Sequence, residues 1–123
     1  MKTLILSLAT AMIFGVPAFA AESHVDSQAE ATKLVSAIAS DDYAAFVVDG
    51  NAAFQGLKKV QFESVVSQIA SKLKTGYDLT YLGDLNQKGY QITIFRIRFK
   101  NGGDDLLATL STKDGKVGGF WIK

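Results

Sequence analysis

The chain has 123 residues, with 13 basic and 12 acidic side chains, one histidine and no cysteine. Charge so nearly balanced sets up no long-range field to draw in nucleic acid or an anionic membrane. The missing cysteine excludes disulfides, thiolate nucleophiles and sulfur metal sites, so stability must come from packing in one modest core.

The first twenty residues, MKTLILSLATAMIFGVPAFA, read as an export leader. Lys2 gives a positive start, the run to Val16 is apolar or small, and Pro17 precedes the cleavage signal Ala18-Phe19-Ala20. The apolar run is too short to span a bilayer, which needs roughly 20 residues. The mature protein is therefore expected at residues 21–123, secreted or periplasmic, with no membrane attachment after cleavage. Lys2 leaves with the leader, and the mature chain is formally neutral.

Residues 21–27, AESHVDS, are polar and predict a loose lead-in holding His24, the only histidine. Asp26 or Ser27 is the expected N-cap of a helix with apolar residues at Ala31, Leu34, Val35, Ile38 and Ala39. Asp41-Asp42 starts a short second helix through Tyr43, Phe46 and Val47, which Asp49-Gly50-Asn51 breaks. AAFQGL, 52–57, fits a helical turn or a loop. The clearest helix runs from about Lys58 to Lys74, with Phe62, Val65, Val66, Ile69, Ala70 and Leu73 on one stripe and Gly76 as its left-handed cap.

Four strands follow, roughly 77–85, 89–100, 104–112 and 116–123, and Asp114-Gly115 is the strongest hairpin signal. Helices first and an antiparallel meander second define an α+β domain: N-terminal helices packed on a curved four-stranded antiparallel sheet. Two-residue turns at Gly102-Gly103 and Asp114-Gly115 set Phe95 opposite Leu110, Ile97 opposite Ala108, and Ala108 opposite Trp121. That register sends Phe95, Ile97, Phe99, Leu106, Ala108, Leu110, Val117 and Trp121 to the inner face. A three-residue first turn adds Tyr77, Leu79 and Tyr81 to it, with Leu79 beside Phe95, and sets Asp78 opposite Arg96. The outer face then carries Tyr90, Ile92, Ile94, Arg96, Arg98, Leu107, Phe120 and Ile122. So apolar a face marks a partner surface, and a homodimer is expected through it.

Chemistry has few carriers. The glycines of NGGDD and DGKVGG lack the strand–loop–helix setting of a phosphate cradle, and Asp41-Asp42 and Asp104-Asp105 sit where caps and turns want aspartate. No metal, cofactor or catalytic residue is expected. The candidate pocket is lined by Tyr43, Phe46, Phe54, Tyr77, Tyr81, Gln91, Thr93 and Trp121, and suits a small, largely apolar ligand. Asp84 is the nearest base, but the expected register points it outward beside Tyr90.

The turn and helix start in SDDYAAF, the helix closing at Gly76 and the ending FKNGGDDLLATLSTKDGKVGGFWIK resemble the nuclear-transport-factor-2-like superfamily, and in particular its small exported bacterial members. The resemblance implies a cone in which a curved sheet wraps helices around a pocket, with dimerisation through the outer sheet face. Its enzymes, such as ketosteroid isomerase and scytalone dehydratase, place acids, histidines and tyrosines in that pocket. No such set carries over here. The expected role is an exported binding or accessory module. The alternatives are an isomerase- or dehydratase-type enzyme using Tyr81 or Tyr77 with Asp84, and an inhibitor- or immunity-like partner of another protein.

Overall fold

The computed structural model describes residues 16–123, with side chains from residue 26 onward. Helix α1 (Val16–Ala39) is followed by α2 (Tyr43–Val47), α3 (Ala52–Gln55) and α4 (Lys59–Lys74), and then by strands β1 (Tyr77–Gln87), β2 (Tyr90–Phe99), β3 (Leu106–Lys113) and β4 (Lys116–Ile122). The strands form one antiparallel sheet in the order β1-β2-β3-β4, which is the α+β arrangement expected from the helix-then-strand pattern.

The helices form where apolar spacing and caps coincide. The Asp42 carboxylate accepts the Ala45 N–H at 3.1 Å and starts α2, and the Asn51 side chain does the same for Phe54 at 2.9 Å to start α3. Gly76, at φ 111°, ends the last helix. The start of α1 differs from expectation. Residues 21–27 lie inside the helix, so neither Asp26 nor Ser27 caps it, and the backbone at His24 is helical rather than loose. Residues 1–15 of the expected leader lie outside the described residues.

The core is the layer between α1, α4 and the inner sheet face. Leu34, Val35, Ile38, Phe62, Phe95, Ile97, Leu110 and Val117 have almost no exposed surface. Burying one such side chain is worth about 1.5–3 kcal/mol. Aromatic rings bridge the layers: Phe46 lies 4.9 Å from Phe62 and 6.2 Å from Phe120, centroid to centroid.

Register differs from the expected one in three places. The β2–β3 connection takes residues 100–105 rather than two glycines, so Phe95 faces Ala108 and Ile97 faces Leu106. A slip of two residues leaves each side chain on its expected face. In the first hairpin Lys88-Gly89, at φ 53° and 84°, form the two-residue turn, and a bulge between Tyr81 and Gly83 sets Tyr81, not Leu79, beside Phe95. Asp78 therefore faces Arg98 instead of Arg96, and Lys100 loses its expected partner because Arg98 holds Asp105 through two bonds of 3.1 and 3.2 Å. In the last hairpin Thr112 faces Val117 as expected. A bulge at Gly118 then moves Ser111 opposite Gly119, Leu110 opposite Phe120 and Thr109 opposite Trp121. A slip of one residue reverses faces. Trp121 is thus outside and 57% exposed, while Phe120 and Ile122 pack onto the core.

The free edge of β4 is partly covered. The Val117 N–H donates to the Asp49 carbonyl at 2.9 Å, and the Asn51 N–H donates to the Val117 carbonyl at 2.8 Å. This capture fixes the segment 49–51 against the sheet. Among the described residues no helix is long and apolar enough to cross a membrane.

The Lys88-Gly89 turn gives a direct test of hairpin geometry. A non-glycine residue in the left-handed region costs roughly 1–2 kcal/mol, and asparagine tolerates it best. Lys88→Asn is expected to stabilise the protein by up to about 1 kcal/mol, and Lys88→Val to destabilise it by at least as much, in urea unfolding.

Candidate functional site

Two cavities flank the core. The larger, about 680 Å³, opens between the N-terminal half of α1 and the tips of the two tight hairpins. Its wall is polar, formed by Asp26, Glu30 and Lys33 of α1, Asp49, Gln91 and the Lys113–Gly115 turn. The Lys33 ammonium lies 2.5 Å from the Asp49 carboxylate. The Glu30 carboxyl shares a hydrogen bond with Asp49, and its Oε2 is shielded from solvent with no donor among the described residues. Burial first, and then the neighbouring Asp49 charge, hold Glu30 above its ordinary range. Asp49 is held below its own, chiefly by the hydrogen bond from Lys33.

These three residues did not stand out in the sequence. Glu30 sits four positions before Leu34, at the margin of the apolar stripe, which was the one available signal. Asp49 read only as a helix breaker. It reaches Glu30 because the backbone pairing with Val117 carries it there.

The second cavity, about 490 Å³, runs beside the last strand. It brings together Phe46, Phe54 and Trp121 of the expected pocket, joined by Phe62, Phe120 and the amide of Gln61, and no charged side chain lines it. Gly119 makes room for the indole, since a Cβ there would fall 2.2 Å from the Trp121 ring.

The remaining expected pocket residues go elsewhere. Tyr43 spends its hydroxyl on the Leu57 carbonyl and packs edge-on against Phe62. Tyr77 faces Phe99 at the far end of β1 from Gln91 and Thr93. Thr93 is buried to 1% exposure, with its hydroxyl unpartnered among the described residues, and Gln91 borders the polar cavity. Asp84 is a correction. The bulge after Tyr81 brings it opposite Thr93, hence to the inner side, where it accepts from Gln91 at 3.2 Å and meets the Tyr81 hydroxyl. Desolvation and then the Asp84 charge raise the Tyr81 hydroxyl above its usual range.

On the outer face Tyr90, Ile92, Ile94, Arg96, Arg98 and Leu107 stand as expected, and the two residues that turned inward, Phe120 and Ile122, are replaced by Trp121. Lys113 lies over the Tyr90 ring at 5.3 Å. The Arg96 Nε is buried without an acceptor among the described residues, while Leu107 is 44% exposed.

Compared with known proteins, the chain matches no family model and no curated protein.

The Glu30–Asp49 pair makes stability depend on pH in a defined direction. A carboxyl held above its unfolded value contributes fully below that value and loses the contribution as pH rises through its folded one. For Glu30 that loss begins above its ordinary 4.5. Asp49 behaves oppositely, its contribution being lost as pH falls below its ordinary 3.8. Glu30→Gln keeps an N–H to offer Asp49 and carries no charge. Its thermal midpoint should match wild type below pH 4.5 and exceed it increasingly above; a difference independent of pH would contradict the assignment.

Proposed function

We propose that the chain is an exported nuclear-transport-factor-2-like binding module that holds a small, largely apolar molecule in the groove beside Trp121. The observation that carries this reading is the meeting of Phe46, Phe54, Phe62, Phe120 and Trp121 around about 490 Å³ with Gln61 as a polar contact. Pockets for small molecules have this make-up and lie within this size range. Helices laid on a four-stranded antiparallel meander agree with the cone-like architecture the superfamily implies. Export to the periplasm or outside the cell follows in this proposal from the leader at residues 1–20.

Trp121 is the chain's single tryptophan and reports on the groove directly. Titration with naphthol, a neutral bicyclic probe, should quench and shift its emission saturably. Ala53→Phe, which projects a ring into the groove, should weaken binding by about tenfold or more, equivalent to about 1.4 kcal/mol. Unchanged emission at the solubility limit of the probe would end this reading.

In the proposed homodimer the outer face is the contact, supported by the half-exposed Leu107 and Trp121 beside Ile92 and Ile94. Solution mass should be that of a dimer for the mature chain and of a monomer for Leu107→Asp. A monomeric wild type at high concentration overturns it.

One observation favours a second reading, an isomerase- or dehydratase-type enzyme. Asp84 lies beside Tyr81 and Gln91 on the inner side of the sheet, so a base and a hydroxyl adjoin the polar cavity. In that case Asp84→Asn abolishes turnover of a proton-transfer substrate without unfolding the protein.

A further inference from the structure

The polar cavity contains more acid than it neutralises internally. From α1 come Asp26, Glu30 and Lys33, from the segment after α2 comes Asp49, and from the last hairpin come Lys113 and Asp114, with Lys116 acting on Asp49 from just outside. Both lysines in the wall are already engaged. Lys33 docks on Asp49, and Lys113 lies over the Tyr90 ring. Glu30 has neither. Its Oε2 is removed from solvent and meets no N–H or O–H among the described residues, although a buried carboxyl oxygen normally finds one.

We propose that this cavity is a second binding site, for a small organic cation carrying N–H donors, with its ammonium seated against Glu30 beside the Lys33–Asp49 pair. The cavity already displays that recognition within the chain, since the Lys33 ammonium is bound by Asp49 at 2.5 Å. A ligand ammonium supplies both things Glu30 lacks, a positive charge and a donor. A neutral polyol supplies only the donor, and an anion meets four carboxyl groups against two lysines. Among the described residues no three His, Cys, Asp or Glu side chains come together as a metal site. The remaining wall suits a flexible polar chain, since the Gln91 and Asn86 amides and the Thr112 hydroxyl border the same space. Volume is ample for an aliphatic diamine, as about 680 Å³ lies within the usual range of small-molecule sites.

Seating a cation there moves a proton. In the free protein, burial and Asp49 favour the protonated Glu30 carboxyl. The ammonium favours the carboxylate, so binding releases the Glu30 proton to solvent and tightens as pH rises through the titration of that group.

The site is separate from the groove beside Trp121, and either can fail alone. The experiment is calorimetric titration of the mature protein with putrescine across pH, in buffers of different ionisation enthalpy so that protons are counted. Expected results are net proton release, an affinity that increases with pH, and no binding of butanediol. Tetramethylammonium, with the charge but no N–H, should bind at least about tenfold more weakly. Glu30→Gln, which preserves shape, should weaken putrescine by at least about tenfold and flatten its pH profile. Lys33→Gln should do the reverse and tighten binding, because it removes the internal competitor for Asp49. Circular dichroism confirms that each variant is folded. Absence of binding to the folded wild type at millimolar putrescine, equal binding of butanediol, or wild-type affinity in Glu30→Gln would each overturn the proposal.

Discussion

A strand can change which face its side chains present only by gaining or losing one residue against its neighbour, and this sheet does so at both of its edges. The extra residue at Leu82 reverses the end of β1, and the one at Gly118 reverses the end of β4. Everything specific to the two cavities depends on those insertions. Without the first, Asp84 would point to solvent on the outer face. Without the second, Trp121 would fill the core in place of Phe120, and the groove would lose its rim.

The bulges lie beyond the turns that set the register, and this explains what could be read in advance. Asp114-Gly115 places Thr112 opposite Val117, as its turn chemistry demands. Each apolar residue near a turn, or displaced by two, kept its face, which is why Phe95, Ile97, Phe99, Ala108 and Leu110 were legible as core. Phe120-Trp121-Ile122 was not legible, because three consecutive large apolar residues satisfy either parity and only the bulge decides between them. Two adjacent glycines, Gly118-Gly119, were the sign that the backbone there could depart from regular pairing. The site was less legible than the fold. Glu30, Lys33 and Asp49 belong to two elements, and no spacing in the sequence links them. Their meeting is a product of the short parallel bridge between Gly50 and Val117, a tertiary contact with no local signature.

That same bridge joins the two cavities in one mechanical unit. It covers part of the exposed edge of β4, which would otherwise offer unpaired N–H and C=O groups to another chain. It also holds the start of α3 in place, so that Phe54 reaches the groove and the Asp49 carboxylate reaches α1. The cavity chemistries differ because their walls do. Burial around the aromatic groove has no charge to penalise, whereas at Glu30 it acts against a carboxylate that also faces the Asp49 charge.

The bulge at Gly118 is the feature on which the account turns, and proton contacts across the last hairpin measure it most directly. In an antiparallel pair, Hα atoms approach closely only between residues that do not exchange hydrogen bonds. Leu107 and Lys123 exchange both of theirs, at 2.7 and 2.9 Å, so Leu110 and Phe120 form a non-bonded pair. A nuclear Overhauser spectrum of the mature protein should show a strong contact between the Leu110 and Phe120 Hα protons. A strong contact from the Leu110 Hα to the Gly119 Hα protons instead would mean an unbulged strand, with Trp121 turned inward, and would contradict the account.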